Sequence, residues 1–122
     1  MNVKTSRIAG FTLVEIMIVV AIIGLLAAIA IPNFVRARTT SQMNACINNL
    51  RQYDAAMQQY ALENSLASTA SYTLANLVPY VKTNSLGNLP ACPAQGTYGP
   101  GVNVTVAPTC SLSGPPYNHN LP

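Results

Sequence analysis

The stretch Gly10-Phe11-Thr12-Leu13-Val14-Glu15 opens the apolar run that decides how this chain is built. From Phe11 to Ile31 there are 21 residues and a single charge, Glu15. At about 1.5 Å per residue, a helix of that length spans roughly 31 Å, close to the hydrocarbon thickness of a bilayer. The run therefore reads as a membrane segment. A carboxylate near the start of such a segment is costly, which marks Glu15 as a functional position. Two cations, Lys4 and Arg7, precede the run.

Behind it, Pro32 removes one helical hydrogen bond and kinks the axis, and Gly24 is a second weak point. The helix is still expected to continue. Met43, Cys46, Leu50, Tyr53, Met57, Tyr60 and Asn64 recur at three- and four-residue spacing, while Asn44, Asn48, Arg51, Gln52, Asp54, Gln58, Gln59 and Glu63 mostly lie elsewhere around the helix. An amphipathic stripe of this kind needs a partner. A helix from about Phe11 to Asn64 would be roughly 80 Å long, far more than a small domain requires.

Gly-Phe-Thr-Leu-Val-Glu before a long apolar helix, with Gly24 and Pro32 further along, resembles the prepilin signature of type IV pilins and type II secretion pseudopilins. The resemblance covers about the first forty residues closely and the rest only in layout. It implies an α+β, type IV pilin-like fold in three parts: a leader at residues 1–10, a membrane and assembly helix at about 11–64, and a small head at 65–122 holding a short helix and a β-hairpin. It further implies cleavage between Gly10 and Phe11 by a prepilin peptidase and N-methylation of Phe11. Polymerisation would follow, with other copies and related minor subunits, driven by an assembly platform protein and a motor ATPase. The leader would be cytoplasmic and the head periplasmic, with the chain crossing the inner membrane once before it enters a periplasmic or extracellular filament. Related filaments are thought to loosen their helix between Gly24 and Pro32 on assembly. An ordinary secretory signal would also offer a small-x-small site at Ala28-Ile29-Ala30, but an acid inside its apolar region is unfavourable.

Glu15 lies four residues from Phe11, which places the two on one helix face. An isolated carboxylate in the membrane costs about 2.5–3.5 kcal/mol, and the α-amine created at a neighbour's Phe11 can neutralise it. Only one axial stagger brings amine and acid together, so the pair would set subunit register.

The head is polar and nearly uncharged. Half of all residues are hydrophobic and only 7% are charged. The formal charge is +3, but without Lys4 and Arg7 four cations (Arg36, Arg38, Arg51, Lys82) face three acids (Glu15, Asp54, Glu63), leaving +1. After Glu63 there is no carboxylate side chain, which excludes the carboxylate-built calcium site typical of major pseudopilin heads. Lys82 is the only Lys or Arg beyond Glu63, so Tyr72, Tyr80, Tyr98 and Tyr117 are not expected to hold DNA in a single subunit.

Thr73 reads as the N-cap of a short helix through Val78. Gln95–Tyr98 and Asn103–Ala107 flank Gly99-Pro100-Gly101, a turn signal for a hairpin. Cys92 and Cys110 are equidistant from Gly101, so the hairpin and a Cys92–Cys110 disulfide support one another, as suits an exported chain with a small core. Cys46 is left over as a small buried residue. Three cysteines at these spacings give no zinc pattern. His119, in a proline-rich tail, is expected to be exposed and without a role. No catalytic set can be assembled around it, and neither an enzyme nor a cofactor is expected. The leading reading is a pilus-like filament subunit, the second a type II secretion pseudopilin, and the third a membrane-tethered binding module that never polymerises.

Overall fold

The computed structural model describes residues 9–115 and 117–122. Most of the expected leader, with Lys4 and Arg7, lies outside the described residues. The element order is a long helix α1 (Leu13–Glu63), a 3-10 turn (Leu74–Leu77), and two short strands, β1 (Tyr98–Gly99) and β2 (Thr109–Cys110). By its internal contacts the chain divides into two units, Met1–Arg36 and Ala37–Pro122.

In the first unit the large apolar side chains from Phe11 to Val35 are exposed, and the helix is long and apolar enough to cross a membrane. Helix α1 runs unbroken through Gly24 and Pro32. Both of its ends follow from local hydrogen bonding. At the start, Thr12 and Glu15 form a reciprocal cap. At the finish, the Leu66 N–H donates to the Ala61 carbonyl at 2.9 Å and the Ser65 N–H to the Leu62 carbonyl at 3.2 Å, the two bonds of a Schellman motif. Ser65 occupies the left-handed position of that motif at φ 50°. A side chain is disfavoured there by about 1–2 kcal/mol. Replacing Ser65 with glycine is therefore expected to stabilise the head by about 0.5–1 kcal/mol, after the extra entropy of unfolded glycine is subtracted. Urea unfolding of the full chain in detergent checks this, and an unchanged or lower midpoint counts against the motif.

In the second unit the head folds back on the expected stripe. Cys46, Leu50, Tyr53 and Met57 are buried at helical spacing, joined by Ala56. Met43 and Tyr60 are half-buried and Asn64 is exposed. Tyr53, Ala56 and Met57 pack with Tyr72, Leu77, Val81 and Val104, while Cys46 and Leu50 pack with Cys92 and Cys110. The segment Pro90–Pro93 lies along α1, and helix side chains satisfy three of its carbonyls. Tyr53 Oη donates to Pro90 O at 2.8 Å, Asn49 Nδ2 to Ala91 O at 3.1 Å, and Gln42 Nε2 to Pro93 O at 3.3 Å.

The short helix is capped as expected, with the Thr73 N–H donating to Asn76 Oδ1 at 2.9 Å, but its turns are 3-10. The hairpin is present in a different register. Tyr98 pairs with Cys110 and Gly99 with Thr109, so the strands are not symmetric about Gly101. Residues 103–106 form a turn rather than a strand. Asn103 Oδ1 accepts from the Thr105 N–H at 3.0 Å, and the Asn103 carbonyl from the Val106 N–H at 3.1 Å. This Asx turn uses the groups a ladder would need. Gly101 closes the loop, since a Cβ there would overlap the Val106 carbonyl. In the shifted register Cys110 faces Tyr98 across the ladder instead of Cys92.

Candidate functional site

Gly10, Phe11 and Thr12 precede α1, so the Gly10–Phe11 peptide lies outside the helix. Phe11 is 88% exposed. Helical phase therefore does not relate Phe11 to Glu15, contrary to the face argument. The contact near the Gly10–Phe11 peptide is instead a cap that ties Glu15 to Thr12. The Thr12 N–H donates to Glu15 Oε2 at 2.8 Å, and the Glu15 N–H donates to Thr12 Oγ1 at 3.3 Å. This is a capping box, with the acid three residues after the threonine. It brings the Glu15 carboxylate to the backbone next to Phe11, where cleavage would create the new amine. The Thr12-Leu13-Val14-Glu15 spacing is the sequence signal for it.

A second constellation lies in the head. Cys46, Cys92, Cys110 and His119 are all buried, and their ligating atoms lie within 4.8 Å of one another. Cys92 and Cys110 are free thiols rather than the expected disulfide, and Cys46 is free as well. His119 is only 1% exposed, which overturns its reading as an exposed bystander. The tail is folded back so that the His119 N–H donates to Leu112 O at 3.0 Å and Asn120 Nδ2 to Ser113 O at 2.6 Å. The His119 Nδ1 then sits 3.6 Å from Cys92 Sγ.

Burial pushes the Cys46 thiol up to about 12, opposed by a hydrogen bond from Tyr98. Asn49 Nδ2 donates in turn to the Tyr98 oxygen at 3.2 Å. Burial also raises the Cys92 thiol, but backbone N–H groups of Ala94 and Gly96, together with the neighbouring thiols, outweigh it and leave Cys92 below its ordinary value. The turn that aims those N–H groups is Cys92-Pro93-Ala94-Gln95-Gly96, closed by the Gln95 N–H on Cys92 O at 3.0 Å with Gln95 at φ 65°. Gly96 lets the backbone approach, because a Cβ there would stand 2.6 Å from Cys110 Sγ and 3.2 Å from Cys92 Sγ. Sequence reasoning misses this site. Its four residues come from the helix, a turn, a strand and the tail, at separations no local motif encodes. The Cys-Pro-x-x-Gly turn is the one local signal.

Comparison with known proteins bears on the N-terminal site first. Residues 5–31 match the family model of the prokaryotic N-terminal methylation motif. The chain is 37% identical over 101 residues to the type IV major fimbrial protein FimA of Dichelobacter nodosus, a match covering 80% of this chain and 62% of that protein. It is 30% identical over 104 residues to the type II secretion system core protein G of Escherichia coli, covering 77% of this chain and 72% of that protein. Over 57 residues it is 49% identical to the type IV major pilin protein PilA of Myxococcus xanthus, covering 47% of this chain and 26% of that pilin. The chain thus spans a quarter of the Myxococcus pilin and less than two thirds of FimA. No solved structure matches. The long apolar helix, the small α+β head and the methylation motif define a pilin-like chain. The chain belongs to the family of type IV pilins and type II secretion pseudopilins.

Proposed function

We propose that this chain is the structural subunit of a type IV pilus-like filament, cleaved between Gly10 and Phe11, N-methylated on Phe11, and polymerised through α1. The observation that carries the reading is the Thr12–Glu15 cap immediately behind an exposed, non-helical Gly10–Phe11 bond. A peptidase can reach that bond without unwinding a helix. The carboxylate that would receive a neighbour's amine is already held at the helix start. The large apolar side chains from Phe11 to Phe34 are exposed, and membrane lipid before assembly, then neighbouring helices, would cover them. Loosening of α1 between Gly24 and Pro32 would accompany that exchange. The prepilin peptidase, platform protein and minor subunits are the partners this route requires.

Mass spectrometry of the chain in sheared filaments tests the proposal. The expected species begins at Phe11 and carries one added methyl group. A chain intact from Met1, or one beginning at Ile31, overturns it. A pseudopilin role is favoured by one observation, the 72% coverage of core protein G. It predicts short filaments confined to the periplasm and a secretion defect on deletion, in place of surface filaments.

A further inference from the structure

The convergence of Cys46, Cys92, Cys110 and His119 shares no residue with the Thr12–Glu15 cap that carries the filament proposal, and it goes beyond that role. We propose that these four residues form a structural zinc site, Cys3His, that fastens the head and its C-terminal tail to α1.

Four lines of geometry carry this. The first is distance. Tetrahedral zinc with sulfur at about 2.3 Å and nitrogen at about 2.0–2.1 Å places neighbouring sulfurs about 3.8 Å apart and sulfur about 3.5 Å from nitrogen. Here the four ligand atoms lie within 4.8 Å of one another, and Cys92 Sγ is 3.6 Å from His119 Nδ1. The second is ligand count. Four protein ligands, each buried, make a closed site with no position for water or substrate, which is the structural type rather than the catalytic type. The third is the surrounding hydrogen bonding. Backbone N–H groups of Ala94 and Gly96 point at Cys92 Sγ, and the Tyr98 hydroxyl at Cys46 Sγ, so two of the three sulfurs have donors suited to thiolates. Such outer partners orient metal ligands and tune their basicity. The fourth is the packing at Gly96, where the chain passes so close to Cys110 and Cys92 that only glycine fits.

The chemistry selects the ion. Thiolates and imidazole suit zinc, and the absence of any carboxylate beyond Glu63 leaves nothing for calcium or magnesium. Binding converts three thiols to thiolates and releases their protons to solvent, while the ion offsets charge that would otherwise be buried together. It also removes the thiols from oxidation, and a disulfide between any two would leave the third thiol and the imidazole without a partner. The energetic logic is that of a small domain. Few large side chains are buried in the head, and a metal clip joining the helix, the Cys92 turn, β2 and the tail supplements that core.

The test uses the full chain, purified in detergent without chelator. Elemental analysis is expected to find one zinc per chain, and alkylation after denaturation in chelator three free thiols. Metal-stripped chain given cobalt(II) is expected to show the visible bands of tetrahedral cobalt with thiolate charge transfer in the near ultraviolet. His119→Ala should weaken cobalt binding at least about tenfold, and His119→Cys should restore it with a more thiolate-rich spectrum. Tyr98→Phe, which keeps all four ligands and removes only the hydroxyl that bonds Cys46, should weaken binding about tenfold. Because Cys46→Ser could fail to fold, His119→Cys serves as the variant that keeps four ligands. Folded chain carrying a disulfide between any two of the cysteines, or folded reduced chain that takes up neither zinc nor cobalt, overturns the proposal.

Discussion

Glu15→Val is expected to be inserted and cleaved normally and to yield almost no filaments. The apolar segment becomes more apolar, so insertion does not suffer, and the Gly10–Phe11 bond remains outside the helix. What disappears is the carboxylate that, in the proposed assembly, would recover its membrane cost by meeting a neighbour's amine. At about 2.5–3.5 kcal/mol that contact is worth roughly a hundredfold in subunit association. The capping box sharpens the test, because Glu15 has two separable duties. It accepts from the Thr12 N–H, and it carries charge. Glutamine at the third helical position also closes a capping box. Glu15→Gln therefore keeps the helix start and loses the charge, and is expected to assemble as poorly as valine. Thr12→Ala weakens the cap by about 1 kcal/mol but leaves the charge, and should reduce filament yield only modestly. Yields of sheared filaments, read beside the fraction of cleaved chain in the membrane, decide the matter. Normal assembly of Glu15→Gln would show that the cap, and not the charge, is what assembly needs.

How much of the molecule is legible in the amino-acid sequence alone depends on whether the signal is local. The helix is legible because its two halves carry two strong local signals, an unbroken apolar run and then a three-four stripe from Cys46 to Met57. Its ends are harder to place to the residue. The Schellman stop at Ser65 uses a serine where glycine would have announced it. The Thr12–Glu15 box, although local, is masked by the apolar run around it, which directs attention to the membrane cost of the acid. The hairpin is legible as a hairpin but not in its register. Gly99-Pro100-Gly101 is a sound turn signal, but the chain turns at Asn103 instead, where the side chain competes for the backbone. That shift also removes the symmetry argument for a Cys92–Cys110 bond. The Cys–His cluster is the least legible part. Its residues are brought together by tertiary packing, and His119 in particular depends on a tail whose prolines read as unstructured.

Tyr53→Ala is expected to cost the head about 3–5 kcal/mol, the range for removing a large buried aromatic, and so most of what a small domain has. Tyr53 is 1% exposed and holds two parts of the head at once. Its ring lies 5.1 Å from that of Tyr98, tilted by 56°, and its hydroxyl donates to Pro90 O at 2.8 Å. The loss should reach the cysteine cluster, because Tyr98 bonds Cys46 and pairs with Cys110. Tyr53→Phe separates the two contributions. It keeps the ring contact and strands the Pro90 carbonyl, at a cost of about 1–3 kcal/mol. The difference should narrow in alkali. Burial holds the Tyr53 hydroxyl above its ordinary value of 10.0, so the unfolded chain gives up that proton first as pH rises. Stability from this group is complete below pH 10 and is lost as pH climbs toward the raised folded value, a loss that phenylalanine escapes. Urea midpoints of the full chain in detergent, measured at neutral pH and again above about pH 10, read both effects. A Tyr53→Phe chain as stable as the parent at neutral pH would mean that the Pro90 carbonyl does not depend on the helix. The ladder of Gln42, Asn49 and Tyr53 along Pro90–Pro93 would then not be what seats the head on α1.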